Sequence, residues 1–257
     1  MSALLQVNGL SRQFGGLLAV KDLSFDVSAG EILGLIGPNG AGKTTIVNTV
    51  SGLIKSTTGE INFDGHNITH LLPHRRAALG LVRTFQSTAV YGVQTVKENA
   101  MRGSFLHSYG GFFSDFFSTQ KHKILKIQTE QRIDALLDWL GLSQFSNVPA
   151  QSLAYGHQKT LGIVIALAAQ PKMILLDEPV AGLSAEETDH VRNTIQRVRS
   201  QGISVVVIDH NMRFISGLCD RLIVVAQGQK IAQGSPNEVL NDTLVIEAYL
   251  GKAYDAS

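Results

Sequence analysis

The sequence predicts an α/β fold: buried strands around a phosphate-binding loop, interrupted by a helical insert. Three observations carry this. Continuous apolar runs at Ile32-Leu33-Gly34-Leu35-Ile36, Met173-Ile174-Leu175-Leu176 and Ser204-Val205-Val206-Val207-Ile208 read as strands covered on both faces. The first of them runs directly into a glycine-rich turn and a helix-like stretch from Lys43. Between about Thr88 and Ala150 the composition changes, with glycine, serine and phenylalanine first and a charged helical segment after.

The elements follow in order. Leu4-Leu5-Gln6-Val7 and Leu23-Ser24-Phe25-Asp26-Val27 alternate apolar and polar, as half-buried strands do. Ile61-Asn62-Phe63-Asp64-Gly65 reads as a further, exposed strand ending in a turn. Over residues 121–140, Ile127, Ile133, Leu136, Leu137 and Leu140 recur at helical spacing. A helix over residues 185–200 separates the last two buried strands. In the tail, Ser235-Pro236-Asn237-Glu238 is a capping box with proline at the first helical position, and Gly251 is the expected stop of that helix.

Composition narrows the class. With 257 residues, 44% of them hydrophobic and 17% charged, the chain suits one large α/β domain or two small ones. A net charge of +1 gives no electrostatic call for nucleic acid or an anionic membrane surface. The single cysteine, Cys219, excludes an internal disulfide and fits a reducing compartment. The longest central apolar run covers residues 161–169, short of the about 20 needed to span a bilayer, and no signal peptide is read at the start.

The strongest chemical signal is Gly37-Pro38-Asn39-Gly40-Ala41-Gly42-Lys43-Thr44, the pattern G-x-x-x-x-G-K-[ST], with Thr45 behind it. Its glycines let successive amides face phosphate oxygens, and the helix N-terminus adds its positive end. Lys43 is placed to reach β- and γ-phosphates, and the Thr44 hydroxyl to bind Mg²⁺. Asp177 and Glu178 close an apolar strand at its carboxyl end, where open α/β sheets bind ligands. Asp177 is expected to hold Mg²⁺ through water, and Glu178 to orient and polarise the attacking water. Asp209-His210 ends another strand, and His210 is a candidate donor to the γ-phosphate.

With these motifs in this order, nearly the whole chain resembles the ATP-binding subunits of ABC transporters. The resemblance implies a P-loop NTPase core with an antiparallel β subdomain and an inserted helical subdomain. The implied division is residues 1–87 for the first part of the core with the β subdomain and 88–158 for the helical subdomain. Residues 159–234 are then the second part of the core, and 235–257 a C-terminal helix and tail. Arg83-Thr84-Phe85-Gln86 resembles the Q-loop, which places Gln86 at magnesium and water. Leu153-Ala154-Tyr155-Gly156-His157-Gln158 resembles the signature that contacts the partner's ATP, and Ala181-Gly182-Leu183-Ser184 the D-loop. His210 falls on the switch histidine, and Phe14 on the aromatic that stacks on adenine. Against the usual pattern Ala154 replaces serine, His157 replaces glutamine, and Ser184 replaces aspartate or asparagine.

Leu72-Pro73-His74-Arg75-Arg76, the Arg-Thr-Phe-Gln stretch, the signature tyrosine and Val245-Ile246-Glu247-Ala248-Tyr249-Leu250-Gly251 resemble the branched-chain amino acid group. The implied activity is ATP hydrolysis that powers import of a small polar solute, with ATP and Mg²⁺ at the site. The implied partners are two membrane-spanning permease subunits, a second, different ATPase subunit and, indirectly, a solute-binding protein, with no nucleic acid. The implied location is peripheral, on the cytoplasmic face of the inner membrane. The alternatives are a lipopolysaccharide-export-type ATPase subunit, a soluble ABC ATPase and a non-hydrolysing regulator. Phe105, Tyr109, Phe112, Phe113, Phe116 and Phe117 either dock on a membrane partner or pack the insert's own core.

Overall fold

A computed structural model describes residues 3–84, 90–104 and 120–254, with the side chains of 120–123 and 251–254 left aside. The aromatic cluster from Phe105 to Phe117, and Gln86, lie outside the described residues.

Ten strands are found among the described residues. β1 (Ala3–Phe14), β2 (Leu17–Ser28), β4 (Thr58–Phe63) and β5 (His66–Asn67) form an antiparallel sheet in the order β2-β1-β4-β5. β1 and β2 are much longer than their alternating cores, because register shifts at bulges bend them and let pairing continue. The expectation of an exposed strand at Ile61 is corrected. Ile61 and Phe63 are fully buried, since the sheet turns that face inward.

The second sheet has the order β10-β9-β3-β8-β7-β6. It comprises β3 (Ile32–Ile36), β6 (Leu81–Arg83), β7 (Met173–Asp177), β8 (Ser204–Ile208), β9 (Arg221–Ala226) and β10 (Gln229–Gly234). β10 runs antiparallel to β9, and the other neighbours pair in parallel. The two faces feed different cores. Ile32, Ile36, Ile174, Leu176, Val205, Val207, Leu222 and Val224 pack on one side with the helices. Leu33, Leu35, Met173, Leu175, Val206, Ile208, Ile223 and Val225 pack on the other, with the antiparallel sheet and α1 (Lys43–Val50). Burial on both faces is why these strands read as unbroken apolar runs.

Helices α2 (Pro73–Ala78), α3 (Val96–Gly103), α4 (Gln120–Trp139), α5 (Tyr155–Ala168) and α6 (Ala185–Ser200) come next in chain order, and α4 and α6 lie where the sequence predicts helices. In α4, Ile133 and Leu137 are buried as the spacing predicts, as is Leu140 just beyond its end, whereas Ile127 is exposed. Short α7 (Met212–Ser216) precedes the last hairpin. The tail differs from expectation: the capping box starts only α8 (Pro236–Leu240), and a separate α9 (Thr243–Tyr254) runs on past Gly251. Asp242 restarts the chain by accepting from the Leu244 amide at 2.8 Å, and a glycine inside a helix costs only about 1 kcal/mol. No helix among the described residues is long and apolar enough to cross a membrane.

Cys219 is buried beside Asp220 and Asp209, and burial first, then those charges, pushes its thiol up to about 12. That shift disfavours the reactive thiolate near neutral pH, and burial keeps reagents away from the sulfur. Cys219 should therefore resist maleimide in the folded chain and label fully once unfolded. Rapid native labelling would contradict that burial.

Candidate nucleotide site

A cavity of about 530 Å³ opens where β3 meets α1. It is lined by Phe14, Leu17, Leu18 and Ala19 from the β1–β2 turn, and by Asn39, Gly40, Ala41, Gly42, Lys43, Thr44 and Thr45. Glu178, Ile208, Gln227 and Gly228 complete it. The loop needs its glycines sterically: a Cβ on Gly37 would lie 2.0 Å from the Val225 carbonyl oxygen, and one on Gly42 2.6 Å from that of Ala19. Pro38 turns the loop by accepting from the Ala41 amide at 3.2 Å.

The start of α1 differs from other helix starts. α3, α6 and α8 each open with a complete capping box, from Thr95 and Glu98, Ser184 and Glu187, and Ser235 and Glu238. α1 opens at Gly42 with no side-chain cap and no acid in its first turn. Its amides face the cavity with the positive end of the helix behind them, which is how a helix start receives a phosphate. Lys43 folds back over the loop, its Nζ donating to the carbonyls of Gly37 at 2.6 Å and Pro38 at 3.0 Å.

Glu178 is half-buried at the cavity edge. Its φ of +49° is left-handed, a conformation that costs a non-glycine residue about 1–3 kcal/mol. Its amide is anchored on the Ile208 carbonyl at 2.8 Å. Asp177 is buried behind it, outside the cavity lining, and paired with Arg83 at 2.8 Å. Arg83 also reaches Asn48 on α1, so one guanidinium joins the β6 edge, Asp177 and the helix after the loop. The His210 side chain is exposed and does not line the cavity, its Nδ1 standing 4.0 Å from Asp209. Burial raises the Asp209 carboxyl above its usual range, although the amides of Asn211 and Val180 oppose that. Phe14 is 41% exposed, with Arg12 stacked 4.3 Å from its ring centre, so its outer face stays open.

The signature stretch sits elsewhere, at the start of α5. Leu153 and Gly156 are buried, and Ala154 and Tyr155 are exposed. The His157 ring meets that of Phe145 tilted at 46° with centres 4.9 Å apart and lies 6.2 Å from the His190 ring, and Gln158 donates to the Leu153 carbonyl at 3.0 Å. α5 has no side-chain cap of its own. Instead the Gly156 amide donates to Glu187 at 3.1 Å. Glu187 is held below the usual carboxylate range by the Ser184 amide, the Gly156 amide and the Ser184 hydroxyl.

Leu17, Leu18, Ala19, Gln227 and Gly228 escaped the sequence reading. Gln227 and Gly228 both have positive φ, as a tight two-residue hairpin requires. Gly228 donates to the Ala41 carbonyl at 3.0 Å and so steadies the loop from the side. A glycine just after the continuous apolar run of residues 222–226 was the available signal for that turn.

The ABC transporter family profile matches residues 20–181, more than half of the chain. The chain belongs to the ABC transporter ATP-binding family. A second profile, for branched-chain amino acid ATP-binding cassette transporters, matches residues 229–255 of this cassette. The cassette is 36% identical to the high-affinity branched-chain amino acid transport ATP-binding protein BraF of Pseudomonas aeruginosa, over 97% of this chain and 98% of that one. It is 38% identical to LivG of Escherichia coli, described in the same words, with the same coverage. Similarity to the lipopolysaccharide export ATP-binding protein LptB of Haemophilus influenzae is 33%, over 98% of this chain and 99% of that one. Among solved structures, the ADP conformation of an ABC transporter cassette superposes with a TM-score of 0.86 at 29% identity, covering 98% of this chain and all of that one. The cassette is an ATPase with the expected α/β architecture.

Proposed function

We propose that this cassette powers import of branched-chain amino acids or a related small polar solute. The observation that carries the reading is end-to-end similarity to BraF and LivG, together with the branched-chain profile over the C-terminal residues. ATP would lie with its phosphates in the loop at 37–45 and its adenine on Phe14. Lys43 would exchange the Gly37 and Pro38 carbonyls for phosphate oxygens. Glu178 would take the proton of the attacking water, with Gln86 and His210 steadying water and γ-phosphate.

Thr44 is exposed at the loop and Asp177 closes β7, hard oxygen donors that suit Mg²⁺. Thr44, Asp177 through water and, outside the described residues, Gln86 would hold that ion, which supplies charge neutralisation at the phosphates when bound.

A second cassette would face this one head to tail, so that residues 153–158 close over its ATP. Ala154 and Tyr155 are the exposed members of that turn, which supports their facing a partner. The chain would divide into 1–87 and 159–234 for the core, 88–158 for the helical subdomain and 235–257 for the tail. Permeases would be engaged at a groove of about 470 Å³ where α2 and β6 meet α5. Its walls include Leu53, Ala77 and Val82 on one side and Tyr91, Ile165 and Ala166 on the other. The cassette would thus be peripheral, on the cytoplasmic face of the inner membrane.

A tagged cassette extracted from native membranes in mild detergent should bring down two permeases and a second ATPase. ATP turnover of that assembly should rise when a binding protein loaded with a branched-chain amino acid is added. Recovery of lipopolysaccharide-export components, or of the cassette alone, would overturn the reading.

A further inference from the structure

We propose that Lys159, on α5, is a positioning residue for Glu178, so that the turn facing a partner's ATP also aims this chain's own hydrolytic carboxylate. The proposal rests on the reading of Glu178 as the residue that activates water. Lys159 is half-buried, and its Nζ donates to the Glu178 carbonyl at 3.2 Å. The same ammonium lies 5.3 Å from the centre of the Tyr155 ring, which helps fix its approach. A hydrogen bond from a charged donor is stronger than a neutral one.

The Glu178 backbone is the part that needs holding. Its left-handed conformation persists only if its surroundings impose it. The amide is fixed on Ile208 of β8, and the carbonyl meets Lys159 and, at 3.4 Å, the Ala181 amide. Peptide planes are rigid, so fixing the groups on both sides of the Glu178 Cα sets the direction in which its side chain leaves. The same first turns of α5 grip the chain further along. Tyr155 packs on Gly182, where a Cβ would sit 3.3 Å from the ring, and the Gly156 amide holds Glu187 at 3.1 Å. Residues 178–187 are therefore tied to the start of α5 at three points. A shift of α5 towards or away from a partner's nucleotide is transmitted to the carbonyl of Glu178.

The test uses the transporter purified through a tag on this chain, carrying Lys159→Met, Lys159→Arg or Glu178→Gln. Lys159→Met should lower kcat about tenfold while KM for ATP stays within about twofold. Binding of a fluorescent ATP analogue and the melting temperature should stay at wild-type values. Lys159→Arg, which keeps a charged donor, should recover about half of the lost kcat or more. Unchanged kcat in Lys159→Met would overturn the proposal. So would parallel loss of nucleotide binding and melting temperature, or failure of arginine to rescue. Glu178→Gln separates the two levels: if it turns over ATP like wild type, the assignment of Glu178 itself falls, and the proposal with it. If it is inactive while Lys159→Met is normal, only the proposal falls.

Discussion

Glu178→Gln is expected to lower ATP turnover by about a hundredfold or more and to leave ATP binding intact. A carboxamide fills the same volume and keeps an acceptor oxygen, but it does not take a proton from water. The residue lies at the cavity edge with its backbone pinned by Ile208, so the exchange disturbs charge rather than fold. Phosphate release from the assembled transporter measures the loss. Size exclusion with ATP and Mg²⁺ should show a nucleotide-trapped cassette dimer. Retention of more than about a tenth of wild-type turnover would remove Glu178 from the role of base.

The second large effect is on stability. Arg76 is 2% exposed, and its guanidinium serves main-chain carbonyls. It donates to Leu71 at 2.9 Å, Thr49 at 2.8 Å, Val50 at 2.7 Å and Thr69 at 2.9 Å. Thr49 and Val50 end α1, so the cation meets the negative pole of that helix and donates to its last carbonyls. Burial lowers the group to about 10, still well above neutrality, so it stays charged. Arg76→Met would take a charged donor from all four carbonyls, of which Thr49 keeps the Gly52 amide at 3.1 Å, at a cost of about 3 kcal/mol. In a chain of this size that is a fall of about 10 °C in Tm. Arg76→Lys, a point charge without the fork, should recover only part of the loss. Urea or thermal unfolding reads both, and a shift of less than about 1 kcal/mol for the methionine variant would contradict the account.

Much of the fold is legible before any coordinate is seen. The runs at Ile32, Met173 and Ser204 are apolar without alternation because helices cover one face of their sheet and the β subdomain the other. The capping box at Ser235 is a local pattern, and local patterns survive folding because their partners lie three residues away. Ile127 shows the limit: it fits the helical period of α4 yet points to solvent, because the stripe that counts is the one another element covers. Gly251 shows another, since a signal that permits a stop does not impose one.

The sequence by itself determined the phosphate loop, the acids closing β7 and the order of elements around them. Each depends on residue types at fixed short spacing, and chain connectivity preserves spacing. Only the tertiary structure decided what those residues meet. Asp177 is held by Arg83, 94 residues earlier in the chain, and Gly156 by Glu187, 31 residues later. Arg76 reads as one of two adjacent arginines, and its place under the end of α1 follows from packing across 27 residues. Such contacts leave no periodicity behind, because any residue of suitable length and charge can make them once the sheets have brought distant segments together.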